Sequence, residues 1–74
     1  MIGEHDTVVL KQDVPDAGLK AGDVGTIVLV HNGGEGFEVE FVTLSGATVS
    51  VVTVEADAVR PADPREISHA RKVA

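Results

Sequence analysis

The stretch that decides the fold is Gly18-Leu19-Lys20-Ala21-Gly22-Asp23-Val24-Gly25-Thr26-Ile27-Val28. Its glycines, spaced four and then three residues apart, lead into a run of β-branched residues. Glycine accepts positive φ and leaves room for a neighbouring backbone, whereas valine, threonine and isoleucine suit a pleated, half-buried strand. The stretch therefore predicts a loop that bends sharply into a strand. It indicates architecture and no particular chemistry.

The composition describes a small chain with one core. Its 74 residues fit a single domain, since domains hold roughly 50 to 250 residues. It has no cysteine, so a disulfide framework, a thiolate metal site and a thiol nucleophile are excluded. The start shows no signal peptide, and no apolar run approaches the roughly 20 residues that cross a bilayer. We therefore expect a cytoplasmic protein with no membrane partner.

Charge is distributed unevenly along the chain. Residues 1–59 carry two basic and ten acidic side chains, a net charge of −8, whereas residues 60–74 carry four basic and two acidic ones, a net charge of +2. The sum of the two is −6. An acidic body repels phosphate backbones and suits a basic protein partner. Nucleic acid is therefore disfavoured as a partner.

Alternating apolar residues predict strands at residues 6–10, 24–30, 37–41, 48–54 and 59–61. The third is the clearest, because Phe37, Val39 and Phe41 alternate with two glutamates. The valines of the fourth do not alternate strictly, so a bulge is expected there. The glycine-rich residues 31–36 predict a hairpin turn, since a phosphate-binding loop would open a helix instead. Residues 55–58 predict a single 3₁₀ turn before the last strand.

Apolar residues in phase with these strands are predicted to form one core, namely Val8, Leu10, Leu19, Val24, Ile27, Phe37, Val39, Phe41, Val49, Val51, Val54 and Val59. Gly25 lies inside the second predicted strand. We expect it either to hold positive φ or to pack against a neighbouring backbone.

The chain divides into a β domain at residues 1–61 and a C-terminal tail at residues 62–74. Asp63-Pro64-Arg65-Glu66 supplies an N-cap, a proline at the first helical position and a glutamate at the third, which predicts a short helix from Pro64 to about Val73. Its apolar face is thin, so three alternatives stay open: a docked helix, a fraying tail and a partner-binding segment. At low salt the basic tail should lie on the acidic face of its own chain or of a neighbouring subunit, with Ile67 and Val73 buried.

The order of four segments carries a resemblance to a known family: Asp6–Leu10, Gly18–Val28, Phe37–Val42 and Ala56–Pro61. They resemble a family of very small bacterial proteins described only as a domain of unknown function. The resemblance implies an all-β fold, a small SH3-like barrel of five antiparallel strands. Its Gly-Asp-x-Gly centre is also similar to the KOW barrels of translation and transcription factors and to the barrel of nitrile hydratase beta subunits. The family has no assigned catalytic residues, so none transfers to this chain.

The residues that could carry chemistry do not form a recognisable site. His5, His31 and His69 lack any short ligand spacing, so they are interpreted as surface residues. Glu38 and Glu40 share a strand face, where alternate glutamates usually serve solubility. No serine has a nucleophile motif around it. We therefore expect no catalytic, cofactor or metal site, no cofactor, no small-molecule substrate and no enzyme activity.

The function that remains is association with another protein or with a second copy, as an accessory subunit or an antitoxin- or immunity-type partner. Apolar contact candidates are the loop around Val14, Pro15 and Leu19, the valines of residues 48–54, and the tail, although these residues could simply close the core. The predicted acidic face comprises Asp13, Asp16, Glu38, Glu40, Glu55 and Asp57. The alternative function is a KOW-like barrel associated with nucleic acid or the ribosome, which the lack of exposed aromatics disfavours.

Overall fold

The computed structural model describes residues 2–73, and within them it contains a single antiparallel sheet and two 3₁₀ turns. The strands are β1 (Thr7–Leu10), β2 (Val24–His31), β3 (Gly36–Val42), β4 (Thr48–Glu55) and β5 (Val59–Pro61). The turns are η1 (Pro15–Ala17), in the loop between β1 and β2, and η2 (Ala56–Ala58), between β4 and β5. Each predicted strand is present, with ends that differ by one residue or not at all. The predicted β domain begins at residue 1 and the predicted tail ends at residue 74, and these two residues lie outside the described part of the chain.

The strand order is β4-β3-β2-β1-β5, and all neighbours are antiparallel. The predicted all-β, five-stranded antiparallel fold is therefore confirmed. The sheet is not closed into a barrel, because β4 and β5 form its two edges and do not pair with each other within residues 2–73. The short β5 explains this opening, since it spans three residues and ends at Pro61, which has no N–H to extend a ladder.

One apolar cluster holds the sheet together. Its buried members all belong to the predicted core: Val8, Leu10, Leu19, Ile27, Phe37, Val39, Phe41 and Val59. Val49 and Val54 are half-buried against this cluster. Val24 and Val51 were predicted to be buried and are exposed instead, and Val9 and Ala58 are buried although the sequence did not predict them. Val24 is exposed because it alternates with the buried Gly25 and Ile27.

A bulge in β4 explains the exposure of Val51. Phe41 lies opposite Ser50, whereas the next residue of β3 lies opposite Thr48, so Val49 is the extra residue. Beyond the bulge, Val52 lies opposite the buried Val39. The predicted bulge is thus present, but it brings Val52 to the inner face and leaves Val51 half exposed at 50%.

Gly25 lies at the closest approach between β2 and β3. A Cβ atom added there would lie 2.6 Å from Val39 Cγ1, 2.8 Å from Phe41 Cε2 and 2.9 Å from the Glu40 carbonyl oxygen. Its φ is not positive. Of the two reasons predicted for this glycine, close packing is therefore the one that applies.

The predicted C-terminal helix is wrong: the described part of the tail, residues 62–73, forms one turn and is otherwise without regular structure. The capping contacts do form, since Arg65 N donates to Asp63 Oδ1 at 2.8 Å and Asp63 N donates to Glu66 Oε1 at 2.8 Å. The Glu66 carboxylate, however, is also held by Arg60 of β5. The turn is thereby tied to the sheet, and the following residues lack an apolar face that would stabilise a helix.

Candidate functional site

The longest unpaired edge of the sheet is β4. Its eight residues pair with β3 only, and no other described residue makes a backbone hydrogen bond to it. Its exposed residues are Thr48, Val51, Thr53 and Glu55. An edge strand presents N–H and C=O groups to which another strand can add. Within residues 2–73, β4 therefore offers a strand-addition surface.

The outer face beside this edge is acidic. Glu40 of β3 lies opposite Val51, and Glu38 lies opposite Thr53. Glu55 extends the same exposed face along β4. Each β3 glutamate is held by a neighbour: His31 Nε2 lies 2.9 Å from Glu38 Oε2, and Thr48 Oγ1 donates to Glu40 Oε2 at 2.9 Å. These contacts orient the carboxylates and leave them at the surface.

The other three residues of the predicted acidic face lie in loops. Asp13 and Asp16 belong to the loop between β1 and β2, and Asp57 belongs to η2. Asp13 is used locally, because its Oδ1 accepts a hydrogen bond from Ala21 N at 2.8 Å. The structure therefore places Glu38, Glu40 and Glu55 together, and it does not add the loop aspartates to their face.

The apolar contact candidates of the β1–β2 loop contribute mainly to the core. Leu19 is buried in the core cluster, and Val14 is half-buried against it. The backbones of these two residues are bonded to each other, with Val14 N donating to the Leu19 carbonyl at 2.9 Å. Pro15 is exposed at the start of η1. The loop is thus anchored by Leu19, and it does not present a continuous apolar surface.

The three histidines lie far apart in the fold. His5 is in the turn before β1, His31 ends β2, and His69 is in the tail. Within residues 2–73, no group of three histidine, aspartate or glutamate side chains lies close enough to hold a metal ion.

The tail forms one wall of a cleft of about 580 Å³. Its described wall residues are 68–73, and the facing walls come from the loop before β2 and from the hairpin between β3 and β4. The apolar side chains that line those facing walls are Leu19, Val24, Phe41, Val42, Leu44 and Val49. We call this space the tail cleft. The sequence predicted a tail that lies on the body, but it did not predict the cleft.

Arg71 fastens the tail at the mouth of the cleft. Its Nε donates to Asp23 Oδ1 at 2.8 Å, and its Nη2 donates to Asp23 Oδ2. The same Nη2 also donates to the Gly18 carbonyl at 3.1 Å. A bidentate arginine–carboxylate pair is both directional and stronger than a neutral hydrogen bond. Arg71, ahead of every other cause, holds the pKa of the Asp23 carboxyl below its ordinary value.

A second charged contact fastens the start of the tail. Arg60 of β5 donates from Nη1 and Nη2 to the two Glu66 oxygens, each at 2.7 Å. These bonds, with the one from Asp63 N, lower the pKa of Glu66 to about 2. Ile67, predicted to be buried, is 95% exposed, and Val73 is only partly covered. The tail is therefore attached by ion pairs and not by apolar burial.

The sequence did not indicate that Arg71 pairs with Asp23. From the sequence, Asp23 is interpreted only as part of the glycine-rich turn, and it lies 48 residues before Arg71 in the chain. The charge difference between body and tail was the one signal available. It predicted attraction but could not select among ten acidic side chains.

The fold and these surfaces define a small open-sheet β domain with an acidic outer face. The family model of the domain of unknown function DUF4926 matches residues 4–61, and the chain belongs to that family. The predicted resemblance to an uncharacterised family of small domains is thereby confirmed. Comparisons with curated proteins and with solved structures gave no significant match. Among the described residues, no helix is long and apolar enough to cross a membrane.

Proposed function

We propose that this chain is a non-catalytic protein-interaction module that binds a partner along the β4 edge. The observation that carries the proposal is the open sheet, in which eight residues of β4 have only one neighbouring strand within residues 2–73. A strand added there would gain main-chain hydrogen bonds along the length of β4.

The side chains of the edge favour one kind of partner. Val51 supplies an exposed apolar contact on the outer face, where Glu40 lies opposite it, Glu38 lies opposite Thr53, and Glu55 lies four residues along β4. Glu55 would face an added strand directly, and opposite charges on adjacent strands attract each other. Glu38 and Glu40 lie one strand further away and would add a negative potential that attracts long basic side chains. The partner strand should therefore carry an apolar residue flanked by lysine or arginine. A second copy of this chain would bring its own glutamates to the same face, so a different, basic protein fits better.

The partner is first identified in host cells by photo-crosslinking, with a photoreactive amino acid at position 53. The partner, once purified, is titrated against the wild-type chain and against Val51→Lys. Lysine at position 51 places a positive charge in the middle of the acidic face and opposes a basic strand. We expect at least about tenfold weaker binding, equivalent to about 1.4 kcal/mol.

Leu44→Lys is the matched control, because Leu44 is 99% exposed in the turn between β3 and β4 and lies off the edge. It should bind the partner as the wild type does. Equal weakening by both lysine variants would assign the effect to net charge alone. Binding that survives Val51→Lys would overturn the proposed site, and selective crosslinking to RNA would favour the nucleic-acid alternative.

A further inference from the structure

We infer that the acceptors at the tail cleft, the Asp23 carboxylate and the Gly18 carbonyl, form a recognition site for an arginine in an extended segment of another protein, and that the chain's own Arg71 occupies this site as a built-in competitor. This site is separate from the β4 edge, and its argument does not depend on the function proposed there. The occupant is identified by the chemistry of the contacts that the chain's own tail already makes.

The acceptors of the site suit a guanidinium group. Two oxygens of Asp23 and the carbonyl of Gly18 accept three hydrogen bonds from two nitrogens of Arg71. A guanidinium offers a planar fork of N–H groups that matches a carboxylate on two sides, whereas a lysine ammonium is a point charge without that geometry. Because the site offers acceptors and negative charge, a phosphate or a carboxylate would be repelled.

The acceptors belong to the body of the domain and are held there without help from the tail. Asp23 N donates to the Lys20 carbonyl at 3.0 Å, and the Asp23 carbonyl accepts from Leu10 N at 2.9 Å. The Asp23 carboxylate also accepts from Lys20 N at 2.9 Å. A carboxylate fixed in this way loses little freedom when a guanidinium binds, so the site is preorganised.

The tail fills the rest of the cleft poorly. Ser68 and Ala70 are small residues on its wall, Val73 is only partly covered there, and Ile67 lies almost fully in solvent. The facing walls offer Val24, Val42 and Leu44, which are all largely exposed. A segment with a bulky apolar residue one position before its arginine would cover this surface in addition to making the Asp23 contact. Such a segment should therefore displace the tail.

The tail competes because it is tethered, and it yields because it is attached at few points. Tethering gives Arg71 a high effective concentration at Asp23. The Arg71–Asp23 pair is partly covered, with 29% of the arginine and 17% of the aspartate side chain exposed, but salt weakens it, since the Debye length is about 10 Å at 0.1 M. A better-fitting segment supplied in trans therefore needs only modest affinity once the competitor has been weakened.

The test uses the full-length chain and labelled peptides. The first peptide has the sequence of residues 67–73, Ile-Ser-His-Ala-Arg-Lys-Val; the second replaces its alanine with leucine; the third replaces its arginine with uncharged citrulline. Binding is followed by fluorescence anisotropy and by amide shifts in NMR spectra. We expect Arg71→Ala to bind the first peptide at least about tenfold more tightly than the wild type does, because the internal competitor has been removed.

The other arms of the experiment decide the chemistry. The leucine peptide should bind more tightly than the first, and the citrulline peptide at least tenfold more weakly. Adding Asp23→Asn to Arg71→Ala should abolish binding, whereas Lys72→Ala, which leaves the Asp23 contact intact, should behave as the wild type. Val51→Lys should leave peptide binding unchanged, which separates this site from the β4 edge. Equal binding of the arginine and citrulline peptides, or amide shifts outside residues 18–24, 41–49 and the displaced tail, would overturn the inference.

Discussion

The two edge strands of the sheet, β5 and β4, differ in length and in how they are closed off. At β5 the strand spans three residues and ends at Pro61, one further backbone bond joins Ala62 N to the Thr7 carbonyl, and Arg60 is bonded to Glu66 of the turn that follows. At β4 eight residues run without proline and without a covering segment within residues 2–73. Natural proteins usually blunt exposed edges with proline, charge or a covering loop. The difference indicates that β4, and not β5, is the edge available for association.

The largest expected effect concerns the packing that both edges depend on. Gly25→Val would place a branched side chain where a single Cβ already lies 2.6 Å from Val39 Cγ1 and 2.9 Å from the Glu40 carbonyl. The β2–β3 pairing cannot move away without opening the centre of the sheet. We expect loss of soluble, folded protein, measured by expression and circular dichroism. A well-folded variant would show that the close approach of β2 to β3 is not required.

The next effect tests the support of the β4 edge. Phe41 is buried in the core and lies opposite Ser50 of β4. Phe41→Ala should reduce the free energy of unfolding by about 3 to 5 kcal/mol, because the ring leaves a cavity beside β4. That is a large share of the stability of a small domain. Chemical denaturation measures it, and an unchanged midpoint would contradict the assignment of Phe41 to the core.

Strands β3 and β4 also show how much of the core can be predicted from the sequence. Phe37, Val39 and Phe41 were predicted correctly because strict alternation leaves one phase for burial. The face of the sheet on which Val51 lies was not predicted correctly. A bulge shifts the phase by one residue, and the adjacent valines at positions 51 and 52 fit either register. Local periodicity contains no information about which strand residue is the extra one.

The edges and the tail were less predictable, for a different reason. Closure of a barrel depends on whether β5 can reach β4, which is a property of the whole sheet. The helix predicted from Pro64 failed because its capping glutamate is also bonded to Arg60, a residue of the neighbouring strand. The Arg71–Asp23 contact joins residues 48 positions apart. Each of these features is decided by tertiary contacts that a local pattern does not contain.

A smaller effect concerns the proton affinity of Asp23. Removing Arg71 takes away the contact that most lowers the pKa of Asp23, so Arg71→Ala should raise that pKa towards or above its ordinary value. In the wild type the folded-state pKa lies below the unfolded one. The contribution of this contact to stability is therefore full at neutral pH and is lost as the pH falls through the folded-state value. Carboxyl carbon shifts in an NMR titration measure this change, with Lys72→Ala as the control.

The smallest expected effect is that of the tail on global stability. Arg71→Ala should lower the Tm only slightly, because none of the tail belongs to the core cluster. The backbone order parameters of residues 67–73, measured by NMR relaxation, should nevertheless fall. A large fall in Tm would mean that the tail supports the sheet. It would contradict the view that the two edges differ only in β5 being closed off and β4 being open.

The most direct test of the open edge is amide hydrogen exchange along β4 in the dilute, unbound protein. In a strand with one antiparallel neighbour, successive residues turn their N–H groups alternately towards that neighbour and away from it. We predict that protected and fast-exchanging amides alternate from Ser50 to Glu55, beyond the bulge at Val49, while those of the central β2 and β3 are more uniformly protected. Uniform protection along β4 in the monomer would mean that another segment closes the edge, and it would contradict the account.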